Sequence, residues 1–597
     1  MNAHPYNPRL LAALLVFCAV VAFLPAVGAG FIWDDDTLLA ANPLVRSPRG
    51  LVQIWEGKNS RDYTPLTMSA FWLEWRLWGA NPVGYHVLNL LLHALAAVLL
   101  WRVLLALHIP GAWLGALFFA IHPINAASAV WVAELKNTLS SVFFLGSTLA
   151  FLHAYIHKDR RWLTASVALF LFAGLSKGAV VTLPVVLAGC LLWMNGKITR
   201  RDLLRLLPFA VIALAVAWLT VHYQSRAENY GLLPDTMPFR IARAGAAVWW
   251  YLREIFFPAG MSPIATQWRM NLHTPIAYVP AAAAAALLAL FIWQRKGSGR
   301  PFLFAYSYFL WMLLPILGFV WMTLQQETPA TDWWQYLAAP GIFACVAAGF
   351  TIGMRNAVKG ARVALQISLG LILAILLLQS WRRSAAYESM KTYCATVVKE
   401  VPDAWTLQNN LGVVLKKEGD LKQAIECYRR ALADNPRFVE ARSNLGNALA
   451  QTGDLGAAET ELQAALKLRP EDPQLLSNLA AVYFRDGKTA ESFLAQRHAI
   501  TNDPADPQLF VQFGVMLYTN NQFPEAVTCF KNALQRDSAN METRVYLIRS
   551  LLAADRREEA ADECRQILAV AHNSGDDKLV QAVLPLLNQA LQAPGQP

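Results

Sequence analysis

Eleven apolar runs crowd the first 380 residues: Leu10–Ala29, then roughly 85–107, 111–127, 138–156, 162–175, 179–194, 203–222, 276–293, 302–324, 337–354 and 363–380. A helix of about 20 uncharged residues crosses about 30 Å of hydrocarbon, and inside lipid each backbone N–H and C=O must be paired within its own segment. A chain built this way is therefore restricted to a bundle of about eleven membrane-crossing helices. The small residues Ala26-Val27-Gly28-Ala29 also fit the end of a secretory signal, but the apolar core of such a signal is only about 7–15 residues long, so a retained helix is expected.

Composition agrees, with 56% hydrophobic and 15% charged residues against about 25% charged in soluble domains. The net charge of +10 does not point to nucleic acid, because the basic residues gather in short loops between runs. These clusters are Lys158, Arg160, Arg161; Lys197, Arg200, Arg201, Arg205; Arg295, Lys296, Arg300; and Arg355, Lys359, Arg362. Short Lys- and Arg-rich loops stay cytoplasmic, and all four fall on the side of the N-terminus. The loop Phe31–Gly84, the turn His122–Asn137, the link Ser176–Gly178, residues 223–275 and Gln325–Tyr336 are then extracytoplasmic. Within 223–275, Ile241, Val248, Leu252 and Ile255 recur at helical spacing with Arg240, Arg243 and Glu254 elsewhere, which predicts a helix lying in the interface. The seven cysteines show no metal-ligand or disulfide spacing.

Beyond Trp381-Arg382-Arg383 the chain turns hydrophilic, and from about Ala404 a 34-residue repeat takes over. Asn410-Leu411-Gly412, Asn444-Leu445-Gly446, Asn478-Leu479-Ala480, Gln512-Phe513-Gly514 and Tyr546-Leu547-Ile548 mark it, as do Ala431, Ala465, Ala499 and Ala533. This is the period of tetratricopeptide repeats, so residues 404–597 are expected to form about five helix pairs with a C-terminal capping helix. Residues 381–403 then read as a linker helix, and 1–380 as the membrane domain.

Three carboxylates in a row, Asp34-Asp35-Asp36, follow the first run directly. They repel one another and cannot enter hydrocarbon, so they are either a solvated acidic patch or a site that uses a base or a cation. Trp33, Trp55, Tyr63, Phe71, Trp72, Trp75 and Trp78 make the loop richer in aromatics than a solvating linker needs, although an interfacial belt accounts for most of them. In the functional reading one of these carboxylates accepts a proton from an attacking hydroxyl, while a neighbour raises its basicity or helps to hold a divalent metal. Further along, His122-Pro123 and Glu134 return to the same depth and, with Asp332, are candidates for supporting roles or for a divalent cation. Lys177, Arg240 and Arg243 are candidate phosphate-binding cations. Gln325, Gln326 and Glu327 extend the polar loop around Asp332. No Gly-rich turn of a nucleotide-binding domain is present.

In their order, Phe31-Ile32-Trp33-Asp34-Asp35, His122-Pro123 to Trp131, Glu134 to Ser140, Ser176-Lys177, Trp250-Tyr251-Leu252, Asp332 to Gly341 and the repeats resemble one family over nearly the whole chain. It is the transmembrane and tetratricopeptide repeat-containing (TMTC) type of the C superfamily of membrane glycosyltransferases, whose animal members are O-mannosyltransferases. The resemblance implies inverting transfer of a monosaccharide from a polyprenyl-phosphate donor to a Ser or Thr hydroxyl of an exported polypeptide, with Asp34 or Asp35 as base and the repeats docking the acceptor. Independently of the resemblance, eleven spans starting from a cytoplasmic N-terminus are expected to place the repeat domain outside the cytoplasm, with the chain in the inner membrane if it is bacterial. Asn125, Ala127 and Trp333 stand where bacterial relatives carry His, Glu and Arg. The alternative is a non-catalytic membrane-anchored repeat scaffold for secretion or surface-polysaccharide assembly. No nucleic-acid partner is expected.

Overall fold

The computed structural model describes residues 7–58, 62–224, 236–259, 261, 268, 270–319, 328–574 and 577–592. It divides into two compact units, Met1–Ala404 and Trp405–Pro597. Gln325, Gln326 and Glu327 lie outside the described residues.

In the first unit the described residues of the apolar runs lie mostly on helix. Among the described residues, seven helices are long and apolar enough to cross a membrane: Pro8–Gly28, Val83–Ala106, Val132–His157, Gly178–Asn195, Arg200–Gln224, Pro275–Trp293 and Lys359–Ala386. An eighth crossing is available if Ala112–Ile121 and Pro123–Val130, bent by 55°, count as one span. Three of the expected eleven, Arg160–Ser176, Arg300–Leu313 and Ala339–Asn356, are shorter or more polar.

The bend follows from Pro123, whose missing N–H and ring cannot continue the helix that ends at Ile121. His122 is extended, and the chain continues through the 3-10 turn Pro123–Asn125, the helix Ala126–Val130 and the 3-10 turn Val132–Glu134. Every residue from 120 to 135 is buried. The turn at His122–Asn137 is therefore packed inside the protein over residues 122 to 135, and irregular backbone between membrane spans survives only when protein covers it. One face of the Val83–Ala106 helix supplies much of the cover. His86 Nδ1 lies 2.7 Å from the Val130 carbonyl, Asn89 donates to the Trp131 carbonyl at 2.9 Å, and His93 Nε2 lies 3.0 Å from the Ala120 carbonyl. The last span closes the other side, Ser380 donating to the Ile121 carbonyl at 2.6 Å and Ser384 to the Phe23 carbonyl at 3.0 Å. Residues 381–403, read as a linker from sequence, fall within this unit. Gly30 donates to the Glu388 carbonyl at 3.0 Å, and Tyr393 packs on Trp33 with ring centres 6.1 Å apart.

The helix Met237–Phe256 differs from its expected orientation. It buries Val248 and Ile255, but also Arg243 and Glu254, and leaves Ile241 42% exposed. Glu254 turns inward, where Arg383 neighbours it, while the Arg253 side chain stays 58% exposed.

The second unit is a tetratricopeptide-repeat solenoid. Its five helix pairs are Trp405–Lys417 with Leu421–Asp434, Val439–Thr452 with Leu455–Leu468, Pro473–Arg485 with Thr489–Asn502, Pro507–Thr519 with Phe523–Arg536, and Met541–Ala553 with Arg557–Ser574; Asp577–Leu591 follows. Close helix approach dictates the small residues: a Cβ at Gly412 would meet the Tyr428 ring at 2.6 Å, and one at Gly514 the Phe530 ring at 2.7 Å. Gly419 and Gly453 make the tight turns with φ of 88° and 92°, a left-handed conformation that glycine adopts freely. The core position filled by Tyr428, Leu462 and Phe530 is Gln496 in the third repeat. Its buried amide accepts from Ser477 and donates to the Leu509 carbonyl, both at 2.8 Å.

Candidate active site

The three aspartates, equivalent in sequence, occupy different environments. Asp35 is completely buried, and its carboxylate accepts the Ile32 N–H at 2.9 Å and the Ala133 N–H at 2.8 Å. It therefore pins the first loop to the broken segment a hundred residues away. The pinned loop holds Trp33 at φ 53°, a left-handed conformation that costs a non-glycine residue about 1–3 kcal/mol and persists only where surroundings enforce it. Trp33 stacks on Trp131 with ring centres 5.5 Å apart, and the Trp131 indole N–H donates to the Ile32 carbonyl at 3.3 Å. Asp34 and Asp36 remain exposed. Burial pushes the Asp35 carboxyl up to about 7, the two N–H bonds pulling the other way. Asp34 is also raised by desolvation from the walls around it, with Lys136 opposing.

Around Asp34 lies a linked set of charges. Buried Glu134 pairs with Lys136 at 3.2 Å and accepts from the Asn137 amide. Asn137 in turn accepts from the Lys177 ammonium and lies within hydrogen-bonding distance of Ser128 Oγ at 3.0 Å and the Trp333 carbonyl at 3.1 Å. Asp62 stands in the field of Lys136 and Lys177, which counter the rise that desolvation gives its carboxyl. Through the Trp333 carbonyl this set adjoins a second one. Buried Asp332 pairs with Arg383, which also donates to the Met261 carbonyl at 3.0 Å. Burial raises Asp332 to about 6 against the pull of Arg383, and raises Glu254 to about 7 against Arg383 and Arg253.

Of the residues singled out from sequence, Asp34, Glu134 and Lys177 thus come together, with Asp332 next to them. His122 is buried with both ring nitrogens engaged: Nδ1 accepts the Ile124 N–H at 3.3 Å, which makes Nε2 the donor to the Ile255 carbonyl at 3.0 Å. That leaves nothing for a cation, so His122 holds the bend together. Arg240 donates to the Phe319 carbonyl at 2.9 Å, and Arg243 lies against Gly318. Among the described residues, no group of three or more His, Cys, Asp or Glu side chains is arranged to hold a metal ion. Sequence reasoning gave no functional role to Asp62, Lys136, Asn137, Arg383 or the face formed by His86, Asn89 and His93. A signal existed for the last three, polar groups at i, i+3 and i+7 within an apolar span, where they are costly unless they do a job.

Fold and site together define a polytopic, all-helical membrane protein with a linked interior charge cluster and a tetratricopeptide-repeat solenoid. The chain is TMTC-like. It is 24% identical over 214 residues to protein O-mannosyl-transferase F38B6.6 of Caenorhabditis elegans, covering 33% of this chain and 30% of that protein. To protein O-mannosyl-transferase TMTC4 of Homo sapiens it is 26% identical over 260 residues, or 38% of this chain and 33% of that one. To protein O-mannosyl-transferase Tmtc2 of Drosophila melanogaster it is 31% identical over 213 residues, or 32% and 22%. The matched segments thus span a third or less of these relatives' length. The family model for the cilia and flagella-associated protein 70 C-terminal domain matches residues 344–583. Among solved structures, MamA from residue 41 onward of Desulfovibrio magneticus RS-1 is 19% identical, with 29% of this chain and 97% of that one covered, at a TM-score of 0.26.

Proposed function

We propose that the chain is a membrane glycosyltransferase that moves a monosaccharide from a polyprenyl-phosphate donor to a Ser or Thr hydroxyl of an exported polypeptide, with inversion at the anomeric carbon. The observation that carries this reading is the division of labour between neighbouring carboxylates. Asp35 spends both oxygens on backbone N–H groups, and Asp34, exposed beside Lys136, keeps its carboxylate available. In this reading Asp34 takes the proton of the acceptor hydroxyl as its oxygen attacks the anomeric carbon. The bond from that carbon to the phosphate oxygen breaks with its electron pair, and the departing polyprenyl phosphate is met by the Lys177 ammonium. A raised carboxyl pKa suits a base that must hold a proton briefly near neutral pH. The names of the relatives, protein O-mannosyl-transferases, support a mannosyl donor. The basic loops support a cytoplasmic N-terminus and an extracytoplasmic site, with the repeats in the same compartment gripping the acceptor chain.

The test uses membranes carrying the full chain, supplied with polyprenyl-phosphate mannose and a Ser/Thr-rich peptide. Asp34→Asn lowers transfer by a factor of about 10²–10⁴, the usual contribution of a positioned base, with no change in melting temperature. Transfer that survives the substitution undamaged removes Asp34 from this role.

A further inference from the structure

The polar interior around Asp332 holds more hydrogen-bonding capacity than the chain uses. Asp332 Oδ1, Glu254 Oε2 and the Thr331 hydroxyl are buried without a hydrogen-bond partner among the described residues, as are both amide atoms of Gln335 on the same 3-10 turn. Their residues are 0%, 1%, 0% and 0% exposed, respectively. Folded proteins leave few buried polar atoms unpaired, and a concentration of them beside a charge cluster marks a place where something else completes the bonding. Aromatic rings line the same region. Trp333 meets Trp131 edge-on at 5.3 Å, Trp33 and Tyr393 follow, and Tyr393 lies 4.8 Å from Tyr387. Tyr251, 1% exposed, faces the charge of Asp332.

Chemistry narrows the occupant. Two carboxyl groups, Asp332 and Glu254, flank the one guanidinium of Arg383, whose Nε is likewise buried without a partner among the described residues, so the carboxyls oppose a phosphate here, whereas it finds an ammonium at Lys177. An apolar chain would leave the unpaired oxygens unpaired, at full desolvation cost. A ring that carries several hydroxyls satisfies both constraints, since carboxylate, hydroxyl and amide groups pair with its OH groups and aromatic faces pack against its C–H faces. We propose that Thr331, Asp332, Glu254 and Tyr251 form the subsite for the pyranose ring of the donor, separate from the phosphate site at Lys177. Asn137, which bonds Glu134, Lys177 and the Trp333 carbonyl, ties the two subsites together. This inference rests on the lipid-linked-sugar reading of the preceding subsection.

The test compares two lipids on the purified full chain in nanodiscs, polyprenyl-phosphate mannose and bare polyprenyl phosphate, by quenching of tryptophan fluorescence. Glu254→Gln and Tyr251→Phe keep shape and leave the Asp332–Arg383 pair intact, so both should fold. Each is expected to weaken the mannosyl lipid about tenfold, the loss of one good hydrogen bond, and to leave the bare lipid unchanged. Equal weakening on both lipids, or none on either, overturns the subsite while the donor reading stands. A parent chain that binds neither lipid overturns the donor reading and the subsite with it.

Discussion

Replacing Asp35 by Asn tests whether this carboxyl anchors the first loop, and pH supplies the sign. Burial carries its folded pKa from 3.8 to about 7. Between those values the folded chain keeps a proton that the unfolded chain has released, so stability is greatest at low pH, falls as pH rises through this window, and is flat above it. A shift of three units at about 1.4 kcal/mol each makes the fall about 4 kcal/mol. Asn cannot ionise and loses that slope. It also loses an acceptor: the protonated acid keeps a lone pair on each oxygen for the N–H groups of Ile32 and Ala133, whereas an amide nitrogen offers none. One buried N–H is left facing another, at about 1–3 kcal/mol. Below pH 5 the variant therefore melts lower than the parent, and by pH 8 the order is level or reversed. Melting is read in detergent with a thiol-reactive dye, since all seven cysteines are free, and the other titrating groups cancel in the difference between the two chains. Melting curves that keep a constant separation from pH 4.5 to 8 refute the anchored, buried carboxyl.

Two further outcomes follow from the same geometry. Asp332→Asn leaves the Arg383 guanidinium, only 13% exposed, without its carboxylate. The expected loss is about 3–5 kcal/mol, seen as a large drop in melting temperature that a second substitution, Arg383→Gln, partly recovers. In the solenoid, Gly514→Ala drives a Cβ to 2.7 Å from the Phe530 ring and costs about 1–3 kcal/mol. Gly456→Ala, with nothing within 4 Å, is neutral or slightly stabilising. Limited proteolysis of the full chain ranks the two.

The repeats were legible because each depends on neighbours a fixed distance away in sequence. Gly412 faces Tyr428 and Gly514 faces Phe530 through the same offset, so periodicity alone exposes the packing. The apolar runs were legible for a similar reason, since lipid demands length and apolarity from each span separately. Which runs cross fully was less so. Pro123, which cannot continue a helix, showed in sequence where the third run ends, but not that residues 122 to 135 are buried within the protein. The helix Met237–Phe256 was legible as a helix but not in its facing: hydrophobic spacing assumes that charges seek water, and Arg243 and Glu254 are instead buried.

The site was legible only in its ingredients. Asp34, Asp35 and Asp36 are one motif in sequence, and no local rule assigns them different tasks. What separates them is a backbone N–H at Ala133 that reaches Asp35 alone, and that meeting exists because Pro123 turns the chain back and His86 and Asn89 hold the returned segment in place. Lys177 reaches Asn137 across 40 positions, and Arg383 reaches Asp332 across 51. Burial at this depth forces such long-range pairing, because an isolated charge there is far costlier than one with a partner. Chemistry-bearing residues in a membrane domain are thus recognisable one by one as polar exceptions in apolar surroundings, while their roles are set by which exceptions the fold brings into contact.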